Sequence, residues 1–209
     1  MAQAYITGVE HAFRNGVRPG QSVASFFVSR IDALVDGRLD RLGTSRAGAL
    51  RGNAATAAAG LAYDQLRRFC AQPGWLALAA KGADPQRLLW ASTSTKDDRY
   101  SDVKYLDELL VPGTVTTVAI ETLEAYRDHG NPVQRVEAKL SEAQRVSDEL
   151  ATLGVELNAV GDELQADGIR KFAKSYDQLL AALEQRPAGG GLRSAGVTSP
   201  GTDGRVTTP

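Results

Sequence analysis

Short apolar runs alternate along the chain with longer stretches in which apolar residues recur every three or four positions. The runs 22–28, 88–91 and 114–119 are rich in bulky or β-branched residues and predict β-strands. The longer stretches predict amphipathic helices at 4–13, 46–72, 75–80, 103–110, 122–129, 136–153 and 159–186. Strands that alternate with helices pair in parallel, because parallel neighbours need a crossover connection. The pattern therefore predicts an α/β fold.

Boundary residues refine these elements. Pro73-Gly74 ends the 46–72 helix, and Ser101-Asp102 is expected to cap the 103–110 helix. Between the first strand and the 46–72 helix, residues 30–36 are expected to form a helical turn or loop. Residues 187–209 hold many Gly, Ser, Thr and Pro residues and almost no large apolar ones. They are predicted to be a disordered tail behind a folded domain of residues 1–186.

Composition narrows the class of protein. The chain has 209 residues, of which 43% are hydrophobic and 23% charged, with a formal net charge of −1, as expected for one soluble globular domain. It shows no apolar span of membrane length and no secretory signal, and its single Cys70 cannot form an internal disulfide, so a cytoplasmic location is expected. Near-neutral charge without a basic stripe argues against nucleic acid as the main partner, and without a membrane-length apolar span no membrane partner is expected. A complete (β/α)8 barrel needs roughly 250 residues, more than this chain has.

Several conspicuous residues are expected to have structural roles. His129 is predicted at a helix C-terminus, where the helix dipole favours a cation. Trp75 and Trp90 are expected in the core, and Cys70 is expected to be packed and inert. The apolar stripe of the 136–153 helix fits core packing better than an interaction surface, because it spans fewer than three heptads.

Candidate chemistry follows two of the predicted strands. Ser25 and Arg30 accompany the end of the first strand, and Ser92, Ser94 and Lys96 follow the second. An Arg binds a phosphate through two parallel hydrogen bonds, a Lys adds a point charge, and hydroxyls donate to the remaining oxygens. Since parallel folds place ligands at the carboxyl ends of their strands, these groups predict a phosphate site.

Two alternatives remain open from the residues alone. In one, the hydroxyl residues merely cap the following helix while Arg30 pairs with Asp32 or Asp36 on the surface. In the other, Lys96 is shielded by Trp90 and forms a Schiff base, although nearby carboxylates would oppose a lowered pKa. The chain shows no metal-ligand spacing, no GxGxxG and no Walker loop.

Several segments resemble one family, the bacterial transaldolases. Residues 22–32 carry the Ser-x-Phe-Val-x-Arg pattern of a transaldolase strand, and residues 86–96 are similar to the next strand in the long transaldolase subfamily. Residues 122–130 resemble the helix after the last barrel strand, and 168–183 resemble the family's C-terminal helix. The resemblance covers most of residues 1–186.

The resemblance implies a specific function. Transaldolases are (β/α)8 barrels of the pentose phosphate pathway that transfer a dihydroxyacetone unit between sugar phosphates, through a Lys Schiff base and without a cofactor. By motif, Ser25 and Arg30 correspond to ligand contacts, with Arg30 on the phosphate, while Ser92, Ser94 and Lys96 fall at the second phosphate-binding cluster. This assignment makes Lys96 a phosphate ligand rather than a nucleophile.

The chain also departs from the family. The resemblance begins after the fifth strand, so the strands that carry the Schiff-base Lys and its assisting Asp and Glu are not matched. On the last strand, residues 116–119 read Thr-Thr-Val-Ala where the family has Asn-Thr-Met-Pro. We therefore expect a partial (β/α)8 barrel with the last three strand-helix units and the C-terminal helices, a phosphate cradle, and negligible turnover alone. A separate N-terminal half or a second copy is the expected protein partner. A non-catalytic sugar-phosphate-binding protein is the alternative.

Overall fold

The computed structural model of the protein describes residues 2–184. Helices and strands alternate from the start of this range. In chain order they are α1 (Ala2–Arg14), β1 (Val23–Phe27), α2 (Val28–Leu42), α3 (Ser45–Leu50), α4 (Ala54–Cys70), α5 (Pro73–Ala79), β2 (Arg87–Ala91), α6 (Lys104–Leu109), β3 (Val115–Thr116), α7 (Ile120–His129), α8 (Leu140–Thr152) and α9 (Leu157–Glu184). The α/β class predicted from the sequence is confirmed for this part of the chain.

The strands form a parallel sheet in the order β1-β2-β3 within the described residues. Phe26 lies opposite Trp90, and Trp90 lies opposite Thr116. The parallel pairing predicted from the alternation is therefore confirmed. Strand β3 is shorter than the predicted 114–119. The last hydrogen bond to β2 runs from the Thr117 N–H to the Trp90 carbonyl at 2.9 Å, because β2 itself ends at Ala91.

One face of the sheet packs against helices and forms the core. Trp90 is fully buried there, its indole N–H donates to the Leu109 carbonyl at 3.1 Å, and Phe26 meets its ring edge-on at 5.7 Å. The opposite face is open in part, since Val23 and Phe27 are 43% and 39% exposed. Trp90 is a core residue, as predicted, and burying such a ring stabilises the fold by about 2–3 kcal/mol.

Helix α2 is longer than the turn or loop predicted for residues 30–36. It follows β1 without a connecting residue and continues to Leu42. Its buried apolar side chains are Val28, Ile31, Val35 and Leu39, at helical spacing. The prediction fell short because Asp32 and Asp36, which flank this stripe, have the polarity of surface residues, although both are buried.

The single helix predicted over 46–72 is also wrong. The structure divides it into α3 and α4 at residues 51–53. Gly52 has φ +70°, a conformation that L side chains rarely adopt, and its N–H donates to Asp36 Oδ1 at 2.9 Å. The break is therefore fixed by a carboxylate on a different helix.

Two apolar clusters fill the described part of the chain. The larger one joins the sheet to α2, α4, α6 and α8, and buries Val136, Val146 and Leu150. The stripe predicted over 136–153 is thus core, although α8 begins only at Leu140. The smaller cluster holds Trp75 with Ile6 and Val9. Cys70 packs against it, and burial raises the pKa of its thiol.

The described residues divide into two compact units, one up to Ala166 and one from Asp167 onward. In the second unit α9 carries Ile169, Phe172, Tyr176, Leu179 and Leu183, each more than half exposed. The predicted tail at 187–209 lies outside the described residues, and the 1–186 domain boundary stays a prediction. No helix within residues 2–184 combines the length and apolar character needed to cross a membrane.

Candidate functional site

The candidate site begins where β1 and β2 end side by side. Phe27 is opposite Ala91 in the parallel register, and these are the last residues of the two strands. Ser29 lies just beyond the first strand and Ser92 just beyond the second. The serine segments that follow the two strands are thereby brought to the same edge of the sheet, the edge that parallel folds use for ligands.

Two hydrogen bonds join these segments. The Ser29 N–H donates to the Ser92 carbonyl at 3.1 Å, and the two hydroxyl oxygens are 2.8 Å apart. Ser29 is 1% exposed, whereas Ser92 is half-buried. Ser92 has φ 57°, a left-handed conformation that is uncommon for a residue with a Cβ atom. The chain therefore turns sharply at Ser92, and the neighbouring segment holds that turn.

The loop after β2 is also bonded to β3 and α7. The Thr93 hydroxyl donates to the Thr117 carbonyl at 2.7 Å, and the Ser94 and Thr122 hydroxyl oxygens are 2.8 Å apart. Helix α6 begins later, after Val103, and the Ser101 hydroxyl accepts from the Val103 N–H at 3.4 Å just before it. The alternative that Ser92 and Ser94 cap the following helix is therefore wrong, whereas Ser101 makes the cap-type contact predicted for Ser101-Asp102.

Arg30 lies in the first turn of α2 and is exposed, with its guanidinium 4.8 Å from the centre of the Phe27 ring. It does not pair with Asp32 or Asp36, the partners of the alternative interpretation. Both carboxylates are buried on the core side, where Asp32 binds Lys104 and Asp36 binds Tyr100. The guanidinium is thus left facing solvent near the strand end.

Lys96 is exposed, and the fully buried Trp90 does not shield it. Of the two carboxylates beside it, Asp97 pairs with Arg99 at 2.6 Å and with Arg51 at 3.0 Å, and the hydrogen bond with Arg99 holds the pKa of Asp97 well below its usual range. The burial that would activate a Lys nucleophile is absent at Lys96.

Ser25 lies on β1 opposite Leu89 and is exposed. Because side chains alternate along a strand, it shares the open face of the sheet with Val23 and Phe27. Among the contacts of residues 2–184, none of the five predicted site residues bonds directly to another. The segment after β1 is linked to the segment after β2 by the contact between Ser29 and Ser92, and the Ser94 hydroxyl contacts the Thr122 hydroxyl.

Sequence reasoning missed Ser29 and Thr122 as members of the site. Ser29 stands one position before Arg30, so its place at the end of a strand was the available signal. The contact with Ser92 spans 63 positions and has no local signature.

A buried polar cluster on α2 was also missed. Asp32 accepts from Lys104 Nζ, the Tyr105 hydroxyl and the Ala55 N–H, at 2.9, 2.9 and 2.8 Å. Burial, followed by the Asp32 charge, raises the pKa of Tyr105. With these bonds made, the Asp32 cluster serves to hold α2, α4 and α6 together.

A cavity of about 130 Å³ lies between α4, α6 and α8. Its lining includes Lys104, Glu108 and Lys139, but none of the five predicted site residues. Lys104 is bound to Asp32, and Lys139 lies 2.5 Å from Glu108. Because these cations already have carboxylate partners, the cavity is a weaker anion site than the strand ends.

Comparisons with known proteins define the class. A family model described as transaldolase/fructose-6-phosphate aldolase matches residues 1–183, and the chain belongs to that family. It is 46% identical over 186 residues to the transaldolase of Frankia alni, and the aligned region covers 88% of this chain and 50% of that protein. For the transaldolase of Parafrankia sp. the identity is 47% over 186 residues, with the same coverage. For transaldolase 2 of Nostoc sp. it is 42% over 194 residues, 87% of this chain and 51% of that protein. The chain thus spans about half the length of the curated relatives it matches.

Proposed function

We propose that the strand-end cluster binds the phosphate of a sugar phosphate, and that the chain contributes this phosphate-binding side to a transaldolase. The observation that carries the proposal is the parallel register of β1 and β2, with Phe27 opposite Ala91. That register sets the Arg30 segment and the Ser92 segment beyond the same edge of the sheet. A cation and hydroxyl donors at one strand edge suit an anion with several oxygens.

Each group has a distinct role in this proposal. Arg30 donates two parallel hydrogen bonds to phosphate oxygens, and Lys96 adds a second positive charge. Ser92 and Ser94 donate from hydroxyls, while Ser25, on the open face of the sheet, contacts the sugar. Support comes from exposure: Arg30, Lys96 and Ser25 are all accessible to a ligand. No cofactor takes part in the proposed reaction.

The proposed reaction is transfer of a dihydroxyacetone unit from a ketose phosphate to an aldose phosphate. The step needs a Lys amine that attacks the ketone carbon and releases water to form a Schiff base. Lys96 is poorly suited, because it is exposed and stands among the phosphate ligands. We therefore propose that the nucleophile comes from strands outside this chain and that the isolated chain has negligible turnover.

We further propose that the sheet is part of a (β/α)8 barrel completed by a second polypeptide segment. A separate N-terminal half is the proposed partner, with a second copy of the chain as the other candidate. Val23 and Phe27 support this, because they are exposed on a sheet face that a closed barrel would bury. The proposal includes the pentose phosphate pathway, which follows from the family resemblance, and a cytoplasmic location, which was expected from the composition.

A non-catalytic sugar-phosphate-binding protein is the second candidate. The observation that favours it is the combination of an exposed Arg30 at the strand ends with an exposed Lys96 that no core residue shields. Both candidates require phosphate binding, and they differ only in whether a Schiff base forms with the completing segment present.

Binding is tested by calorimetric titration of the full chain with fructose 6-phosphate. Wild type is expected to bind, and Arg30→Met to weaken binding at least about tenfold, as for a lost charge-assisted pair. Arg41→Met is the matched control, since Arg41 is an exposed Arg in the last turn of the same helix. Equal affinity for unphosphorylated fructose, or no effect of Arg30→Met, would contradict the phosphate assignment.

Chemistry is tested by borohydride reduction with fructose 6-phosphate, followed by intact mass measurement. The isolated chain is expected to remain unmodified. A stable adduct on it, lost in Lys96→Met, would identify Lys96 as the nucleophile and refute the proposed division of labour. With a completing N-terminal half present, an adduct on that half supports the transaldolase, whereas no adduct on either half supports the non-catalytic candidate.

A further inference from the structure

Ser29 is buried at the candidate site and makes two contacts with a single residue. Its N–H donates to the Ser92 carbonyl at 3.1 Å, and its Oγ lies 2.8 Å from the Ser92 Oγ. At 1% exposure Ser29 has no access to a bound ligand. Whatever Ser29 does for binding, it does through Ser92.

Ser92 needs such support because of its backbone. Its φ of 57° brings the Cβ close to the following carbonyl, so the conformation persists only where surrounding contacts favour it. The bond from the Ser29 N–H to the Ser92 carbonyl fixes the peptide on one side of this turn. The left-handed backbone at Ser92 then sets the direction of its hydroxyl group.

The hydroxyl pair has a further constraint. A serine hydroxyl has one proton to donate and two lone pairs with which to accept. If the Ser92 hydroxyl donates its proton to a phosphate oxygen, the contact with Ser29 can survive only when Ser29 is the donor. A bound anion therefore requires the direction Ser29 to Ser92 to ligand, and this chain of donors strengthens each bond in it.

We infer that Ser29 is a positioning residue of the phosphate site: it holds Ser92 in its left-handed turn and donates to the Ser92 hydroxyl, which then donates to the phosphate. The inference rests on the proposed function, since it concerns the same site. It assigns a binding role to a hydroxyl that never touches the ligand.

The test is a double-mutant cycle on the full chain, with inorganic phosphate as the probe and its dissociation constant as the readout. Ser29→Ala is expected to raise the dissociation constant about fivefold, the effect of one neutral hydrogen bond. Ser92→Ala is expected to raise it at least as much. In the Ser92→Ala background, Ser29→Ala is expected to have no further effect, because its route to the ligand is already gone.

Two further variants separate binding from folding. Ser29→Thr keeps the hydroxyl and Ser29→Val removes it at nearly equal volume, so both share any cost of an added methyl group. Thr is expected to retain phosphate affinity and Val to lose it. Thr93→Val is the matched control: Thr93 is 3% exposed and donates to the Thr117 carbonyl at 2.7 Å at the same strand edge. It is expected to lower the melting temperature without changing phosphate affinity.

The outcomes are distinguishable. Phosphate binding that depends on Arg30 but is unchanged by Ser29→Ala and Ser29→Val would overturn the role of Ser29 and leave the proposed function standing. Equal losses in both backgrounds of the cycle would also overturn it, since Ser29 would then act independently of Ser92. A wild-type chain that does not bind phosphate would overturn the proposed function together with the role of Ser29.

Discussion

The carboxylate of Asp32 accepts a hydrogen bond from Lys104 Nζ at 2.9 Å, and only 2% of the Asp32 surface is exposed. The same carboxylate accepts from the Ala55 N–H at 2.8 Å, in the first turn of α4. The N-cap of α4, Asn53, makes no side-chain cap bond. Helix α2 therefore supplies the acceptor that a cap would otherwise provide, and it ties α4 and α6 together.

Asp32→Asn is expected to lower the free energy of unfolding by about 3–5 kcal/mol, because it leaves the Lys104 ammonium, whose side chain is only 15% exposed, without its carboxylate partner. The measurement is urea denaturation near neutral pH. Asp40→Asn is the control, since Asp40 stands two turns further along α2, pairs with Arg51, and is 54% exposed. That change is expected to cost less than about 1 kcal/mol. Similar decreases in the free energy of unfolding for Asp32→Asn and Asp40→Asn would show that burial does not make the Asp32 ion pair more important than the exposed one.

Gly52→Ala tests the break between α3 and α4. A Cβ at Gly52 would lie 2.8 Å from the Tyr100 ring and 2.9 Å from Lys104 Nζ. At Gly43, which also has positive φ (+62°), the nearest such atom is 4.0 Å away. Both Ala variants carry the left-handed cost of about 1–2 kcal/mol.

Gly52→Ala is expected to lower the free energy of unfolding by about 1–3 kcal/mol more than Gly43→Ala, because the added methyl group also crowds Tyr100 and Lys104. Chemical denaturation of the two variants measures the difference directly. Equal losses would show that Tyr100 and Lys104 move aside without cost.

His129 links the C-terminus of α7 to the segment before α6. Its Nε2 lies 2.9 Å from Asp102 Oδ1 and its Nδ1 lies 3.2 Å from Asp128 Oδ2. The hydrogen bond to Asp102, then that to Asp128, raises the pKa of His129. Because the pKa of His129 is higher in the folded than in the unfolded protein, protonated His129 stabilises the fold. This contribution is fully present below the unfolded-state pKa of about 6.5. The contribution is lost as pH rises through the folded-state pKa.

The difference in melting temperature between wild type and His129→Gln is therefore expected to be larger at pH 6 than at pH 9. Melting curves at the two pH values measure it. In an Asp102→Asn background the pH dependence of that difference is expected to shrink, since the main source of the raised pKa is gone. A melting-temperature difference that is larger at pH 9 than at pH 6 would contradict the stabilising ion pair between His129 and Asp102.

Strand β1 pairs with β2 on one side, and among the described residues its other edge has no strand partner. Val23 on this strand is 43% exposed. Val23→Lys is expected to reduce concentration-dependent self-association, because a charge blocks edge-to-edge pairing. Sedimentation velocity across a concentration series measures it.

Val17→Lys is the control for that experiment. Val17 is 58% exposed but lies before the sheet, so the same charge is expected to leave association unchanged. Equal reductions in the two variants would indicate a general charge effect rather than a role for the strand edge.

Local pattern was enough to predict much of the fold. The apolar runs predicted β1 and β2, and the spacing of Ala143, Val146 and Leu150 predicted the buried stripe of α8. The motifs around Ser25 and Arg30 were enough for the family resemblance, and the family is confirmed. The assignment of site residues and the partial barrel stay predictions.

The α2 helix and the α3–α4 break could not be predicted in the same way. Asp32 and Asp36 read as polar surface positions, because a buried carboxylate depends on partners that lie far along the chain. Gly52 falls inside the single helix predicted over 46–72, because the local pattern does not show its hydrogen-bond partner. Its left-handed turn is favoured by Asp36, which stands 16 positions earlier.

The sequence by itself determined most of the strand and helix segments, since periodicity and side-chain size act over a few neighbouring residues. It also determined the family, through motifs that are contiguous. Only the tertiary structure decided that Ser29 meets Ser92, that Asp32 binds Lys104, and that Arg30 is left free of both acids. The Ser29–Ser92 and Asp32–Lys104 contacts join residues more than 60 positions apart, and they form only when the packed sheet and helices bring the segments together.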